Sequence, residues 1–95
     1  MIEVKARDGH IIVGGHAGYA EPGKDIVCSA VSVLIQTLVK SIQSLIGSIP
    51  VYALNTGAFI IETENLSEAA ALLIDSFFIG ICLIANEYPD YVRII

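Results

Sequence analysis

The chain has 95 residues, 55% hydrophobic and 16% charged, with a formal net charge of −5 and an isoelectric point near 4.7. This length predicts a single domain spanning residues 1–95. The acidic balance argues against nucleic acid as the primary partner, because proteins that bind phosphate backbones usually carry a basic face. A small domain cannot easily hide this much apolar surface, so we expect a homodimer.

The first half of the chain predicts two strands followed by a helix. Residues 2–7 alternate between apolar and polar side chains, as in a half-buried strand. An Asp-Gly pair at 8–9 is typical of a two-residue hairpin turn, and the return strand covers 10–14. After a glycine-rich loop, apolar residues recur at helical spacing from about 25 to 46.

The second half predicts two more strands, a helix and a last strand. The strands cover 51–54 and 58–63, and a helix runs from Ser67 to about residue 87. This helix is apolar nearly all round, which is typical of a helix that is buried or covered by another subunit. A strand at 91–95 completes the order ββαββαβ, which predicts an α+β fold: a mostly antiparallel sheet with both helices packed on it.

The second predicted helix also resembles a membrane span. Its apolar run, 69–85, has only 17 residues where a bilayer core needs about 20, and Asp75 lies inside it. The first ten residues lack the layout of a signal peptide. We therefore expect a cytoplasmic protein without membrane association, whose two cysteines, Cys28 and Cys82, are reduced.

Cys28 lies at the start of the first predicted helix. If Asp25 is the N-cap, its carboxylate accepts a backbone N–H from the third helical position, which Cys28 occupies. The partial positive charge of the helix end favours a thiolate, and the Cys28 N–H is a natural donor to a developing oxyanion. The alternative is that Cys28 is a small core residue.

His16 follows the second strand and is the candidate partner of Cys28. A thiolate nucleophile needs an imidazole within hydrogen-bond reach, about 2.6–3.2 Å, and later an acid for the leaving amine. A strand, a loop and a helix that packs back on the sheet can bring His16 and Cys28 together. The alternative is a loop histidine that is hydrogen-bonded to backbone.

The loop between the two candidates is predicted to contact substrate. Gly15, Gly18 and Gly23 allow a substrate backbone to come close. Lys24 is a candidate for the rim of the site, and the alternative is an ordinary solvated surface charge. The glycines match no phosphate-binding motif. The histidines and cysteines lack zinc-ligand spacing, so we expect no metal and no other cofactor. Cys82, in the middle of the apolar second helix, is predicted to be a packing residue.

The stretch G-H-A, followed by G-x-D-I-V-C and a helix of small residues, resembles the signature of the ribosomal-processing cysteine protease (Prp) family. This motif covers residues 15–32, and outside it the length and the element order fit the family. Where members commonly have Ala after the Cys, this chain has Ser29. The resemblance implies a catalytic dyad of His16 and Cys28, with Asp25 as helix cap or site support.

The resemblance also implies a function and a partner. It implies an endopeptidase that removes the N-terminal extension of large-subunit ribosomal protein twenty-seven and so supports ribosome assembly. It further implies a homodimer of α/β sandwich subunits. The sequence leaves two alternatives open: a non-catalytic module that binds a ribosomal component, and a thiol redox or acyl-transfer enzyme. The redox alternative needs a resolving cysteine, and Cys82 is a poor candidate if its helix is buried.

Overall fold

The computed structural model describes all residues from Met1 to Ile95 and has the predicted order of elements. Its strands are β1 (Ile2–Arg7), β2 (His10–Gly14), β3 (Tyr52–Asn55), β4 (Ala58–Glu62) and β5 (Val92–Ile94), and its helices are α1 (Ile26–Ser41) and α2 (Glu68–Glu87). α1 continues into a wider π-helical turn, Ile42–Ile46. The α+β prediction is confirmed, and the predicted bounds agree to within one or two residues.

The five strands form one sheet in the order β3-β4-β2-β1-β5. Three neighbouring pairs are antiparallel, and β5 lies parallel to β1, so the sheet is mixed but mostly antiparallel, as predicted. β1 and β2 form a hairpin whose turn residues, Asp8 and Gly9, have φ values of 52° and 76°. Positive φ at both positions is the signature of a type I′ turn, whose twist matches that of the strands.

The core lies between one face of the sheet and the two helices. Alternate residues of the strands point into it, because side chains alternate between the faces of a sheet. These residues are Ile2, Val4, Ile11, Val13, Phe59, Ile61 and Val92, and they share one buried cluster with the inner faces of α1 and α2. The opposite face carries exposed side chains, including Ile12 and Ile60. The helices therefore cover one face only.

α2 buries only one of its faces within the chain. Ala70, Ile74, Phe77 and Ile81 face the core, at the intervals expected of one helix face. The prediction that Cys82 packs in the interior is wrong: Cys82 is exposed, because the residue before it takes the inward position. Both long helices are apolar enough to match a membrane span by length and composition, a test that core helices also pass.

Three segments that are distant in sequence meet at one end of the sheet. In the pairing of β2 with β4, Gly14 lies opposite Ala58, so the end of β2 lies beside the turn between β3 and β4. The Gly15 N–H donates to the Gly57 carbonyl oxygen at 2.9 Å and fixes this contact. The loop after β2 then leads to the start of α1 at the same end. The fold therefore places His16, Cys28 and the β3–β4 turn together.

Candidate active site

Asp25 is the N-cap of α1, as predicted, and it is buried. Its Oδ1 atom accepts hydrogen bonds from the N–H groups of Val27, at 3.0 Å, and Cys28, at 2.9 Å. Its Oδ2 atom accepts from the N–H groups of Tyr19, at 3.0 Å, and Ala20, at 3.4 Å. One carboxylate therefore joins the helix start to the glycine-rich loop.

These contacts determine the ionisation of Asp25. The hydrogen bond from the Cys28 N–H, followed by those from Tyr19, Ala20 and Val27, holds the pKa of the Asp25 carboxyl below its ordinary value, although burial acts in the opposite direction. Asp25 is therefore a carboxylate at neutral pH. Its negative charge lies at the positive end of the α1 dipole, where it is stabilised and where it offsets the field of that helix end.

Cys28 is half-buried in the first turn of α1, and its thiol is free. The prediction that its backbone N–H serves as an oxyanion donor is wrong for this structure, because that N–H already donates to Asp25 Oδ1. The Val27 N–H is occupied in the same way. Among the first three residues of α1, only Ile26 keeps an N–H without a partner in the chain.

The exposed His16 lies directly against the β3–β4 turn. A Cβ atom added to Gly57 would lie only 2.7 Å from His16 Nε2, so the imidazole occupies the space that a side chain at residue 57 would need. Gly57 also has a φ of 75°, a conformation that favours glycine. No hydrogen bond joins the His16 ring to Cys28, but both residues line the same two cavities.

The two cavities meet at His16, Cys28, Ser32 and Thr56, which line both of them. The sheet-side cavity, of about 360 Å³, lies between α1 and the β3–β4 hairpin; its apolar wall includes Val13, Val31, Ile35, Leu54 and Phe59. The loop-side cavity, of about 540 Å³, is lined by Gly18, Ala20, Pro22, Gly23 and Ser29. Together they form a groove with the candidate dyad at its middle.

The structure places the three predicted loop glycines along this groove, but not Lys24. Gly15 lines the sheet-side cavity, and Gly18 and Gly23 line the loop-side cavity. Lys24 is exposed and lines neither of the two cavities. His16, Asp25 and Cys28 do not form a cluster that could hold a metal ion.

Sequence reasoning missed the contribution of the β3–β4 turn. The sequence predicts Thr56 and Gly57 only as turn residues, because nothing in their local pattern connects them with a histidine about forty positions earlier. The pairing of β4 with β2 makes that connection. A polar line along α1 was visible in the sequence: Cys28, Ser32 and Gln36, at intervals of four residues, all line the sheet-side cavity.

The lowered pKa of Asp25 predicts a pH-dependent effect of Asp25→Asn. Because the folded pKa lies below the unfolded value of about 3.9, the carboxylate stabilises the fold fully above about pH 4 and loses this effect as the pH falls through the folded pKa. Urea unfolding should show the variant less stable than the parent at pH 7, with a smaller difference near pH 2.5. Glu21→Gln, at an exposed loop residue, is the control. A difference that is the same at both pH values would contradict this role.

The chain is similar to known proteins along most of its length. The family model described as cysteine protease Prp matches residues 1–93. The ribosomal processing cysteine protease Prp of Bacillus subtilis is 31% identical over 87 residues, covering 84% of this chain and 78% of that protein. The protein of the same name from Staphylococcus aureus is 30% identical over 87 residues, covering 88% of this chain and 82% of that protein.

Solved structures share the fold over nearly the full length. A crystal structure of the S. aureus protease with a covalently linked product peptide superposes with a TM-score of 0.82, at 25% identity, covering 98% of this chain and 94% of that one. A Streptococcus mutans protein gives a TM-score of 0.76 at 29% identity, covering 99% and 91%. On the family match and these relatives, the chain belongs to the Prp family of cysteine proteases.

Proposed function

We propose that this protein is a cytoplasmic endopeptidase that removes the N-terminal extension of large-subunit ribosomal protein twenty-seven, with Cys28 as nucleophile and His16 as general acid and base. The observation that carries the proposal is the groove in which a free, half-buried thiol and an imidazole line the boundary between two cavities. Two of the relatives are named for ribosomal processing, and one related structure holds a covalently linked product peptide.

The shape of the groove supports an extended peptide as substrate. A peptide that passes from the sheet-side to the loop-side cavity crosses Cys28 at the middle of its path. The apolar wall of the sheet-side cavity would bind side chains, while Ser32 and Gln36 offer hydrogen bonds to the peptide backbone. The scissile bond would lie where the two cavities meet.

The charges around Cys28 give His16 a second role in the proposal. The Asp25 carboxylate lies at the helix end that carries Cys28, and its negative charge opposes the partial positive charge of that end. A neighbouring cation would stabilise a thiolate there. His16 lines both cavities together with Cys28, so its imidazolium is the group that we assign to this role.

The proposed reaction has two steps. In the first, the Cys28 sulfur bonds to the peptide carbonyl carbon, the C–N bond breaks, and the His16 imidazolium protonates the departing amine. In the second, His16 takes a proton from water as the water attacks the thioester, and the thiolate of Cys28 leaves. Asp25 acts as site support, since its hydrogen bonds hold the helix start and the loop.

We further propose that the protein is a homodimer that pairs through the outer face of α2. Leu72, Ile79 and Leu83 are 68%, 64% and 66% exposed and lie on one side of the helix, at intervals of seven and four residues. Apolar side chains this exposed favour a partner, and a second copy offers a self-complementary surface about a two-fold axis. The resemblance to the family independently implies a dimer.

Removal of either dyad residue should abolish or strongly reduce cleavage. Cys28→Ala should show no turnover of the organism's own full-length ribosomal protein by mass analysis of the products, because no other group replaces the covalent step. His16→Ala should lose about 10²–10⁴-fold in rate, the usual contribution of general acid–base catalysis. Both variants should keep the parent's circular dichroism spectrum. Turnover by Cys28→Ala would refute covalent catalysis and leave the binding-module alternative.

Gly57→Ala should impair catalysis by displacing the His16 ring. The added Cβ would meet Nε2 at 2.7 Å, so the imidazole has to move. Gly47→Ala is the matched control, because Gly47 has nearly the same φ, 74° against 75°, and nothing within 4 Å of an added Cβ. Both variants should lose about 1–2 kcal/mol of stability from the left-handed backbone. Only Gly57→Ala should lose peptide cleavage, by at least about tenfold; equal rates would remove the turn from the mechanism.

Leu83→Glu should dissociate the dimer, because it places a charge in the apolar row on α2. Sedimentation equilibrium should show twice the chain mass for the parent and the chain mass for the variant. Ile12→Glu is the control: Ile12 lies on the sheet face away from the helices and opposite Lys5, which a glutamate can pair with. A monomeric parent protein, or an Ile12→Glu variant that dissociates equally, would contradict the proposed interface.

A further inference from the structure

The ring of Tyr19 attaches the glycine-rich loop to the far end of α2. Its centroid lies 5.6 Å from that of Tyr88, at an interplanar angle of 81°, and 5.1 Å from that of Tyr91, at 75°. Both contacts are edge-to-face, the arrangement that aromatic rings prefer because the positive edge of one meets the negative face of the other. The loop is therefore held by two ring contacts that lie outside the groove.

The two partner rings belong to a corner fixed by backbone hydrogen bonds. Tyr88 is the C-cap of α2, and its N–H donates to the Ile84 carbonyl at 2.8 Å. The Tyr91 N–H donates to the Tyr88 carbonyl at 3.0 Å, and the Tyr91 carbonyl accepts from the Ile2 N–H at 2.8 Å. Tyr88 and Tyr91 also pack against the core cluster. Tyr19 thus contacts a rigid part of the fold.

The rest of the loop offers few side chains for attachment. Every residue from 18 to 24 is exposed. Gly18 and Gly23 have positive φ values, which set the direction of the backbone at these positions. Nothing lies within 4 Å of a Cβ built on either residue, so neither position is packed on that side. The backbone of the loop is attached separately, because the N–H groups of Tyr19 and Ala20 donate to Asp25 Oδ2. Beside these two hydrogen bonds, the Tyr19 ring supplies the side-chain attachment of the loop.

We propose that Tyr19 is a positioning residue that holds this loop in place as the outer wall of the substrate groove. The residues on either side of it, Gly18 and Ala20, line the loop-side cavity, whereas Tyr19 lines neither cavity and places its ring on the α2–β5 corner. Tyr19 acts through the wall without touching substrate. The proposal rests on the proposed function for its effect on cleavage, but its effect on the loop can be measured without a substrate.

The loop is tested by limited digestion with proteinase K, with nicks within residues 18–24 read by mass spectrometry. When the loop opens and closes fast relative to cleavage, the nicking rate is proportional to the population of the open loop. Loss of the two ring contacts in Tyr19→Ala should raise the nicking rate about 5- to 30-fold. Tyr19→Phe keeps the ring and should restore the parent rate. Tyr52→Ala is the matched control, because Tyr52 is 41% exposed and Tyr19 42%, and it should nick like the parent.

A peptidase assay distinguishes a role of Tyr19 in substrate binding from a role in stability alone, because it measures KM and kcat separately. Tyr19→Ala should raise KM about 5- to 30-fold, with kcat within about twofold, because the wall binds substrate while Cys28 and His16 keep their places. If Tyr19→Ala does not fold, Tyr91→Leu removes one of the two contacts from the corner side and should raise the nicking rate and KM by a smaller factor, about 2- to 12-fold. A parent-like nicking rate in the folded variant would overturn the proposal. Rapid nicking with no cleavage by the parent protein would support it and refute the proposed function.

Discussion

The site depends on one buried carboxylate that accepts four backbone hydrogen bonds. Asp25 satisfies two N–H groups at the start of α1 and two in the glycine-rich loop, so a single side chain fixes the helix that carries Cys28 and the segment that follows His16. These bonds also keep it ionised, because each favours the charged form. The same charge lies at the helix end that carries Cys28, where the proposed mechanism adds the imidazolium of His16 as a neighbouring cation.

Around this carboxylate, the two walls of the groove are held in different ways. The sheet-side wall consists of α1 and a paired hairpin, whose backbone groups are joined by regular hydrogen bonds. The loop-side wall is a run of exposed residues held at Asp25 and at the aromatic corner. The candidate dyad therefore lies between a wall built on regular backbone hydrogen bonds and a wall held at two points.

The apolar composition has two separate uses in this structure. Part of it forms the core between the sheet and the helices, where 18 hydrophobic residues are buried. Another part stays on the outer face of α2, with side chains about two-thirds exposed, and accounts for the homodimer that we propose. The buried core therefore uses one part of the high hydrophobic content, and the proposed interface would use another.

The elements and the capping role of Asp25 were predictable from the amino-acid sequence, because both depend on local signals. Alternation and helical spacing gave the order ββαββαβ, the Asp-Gly pair gave the hairpin turn, and capping chemistry gave Asp25 its place before Cys28. Three features are visible only in the folded chain: Gly57 lies against His16, the Cys28 N–H is already occupied, and Cys82 faces outward. They follow from strand pairing, from a carboxylate that accepts four hydrogen bonds, and from the rotation of α2 about its axis. All three depend on contacts that the local sequence pattern does not specify.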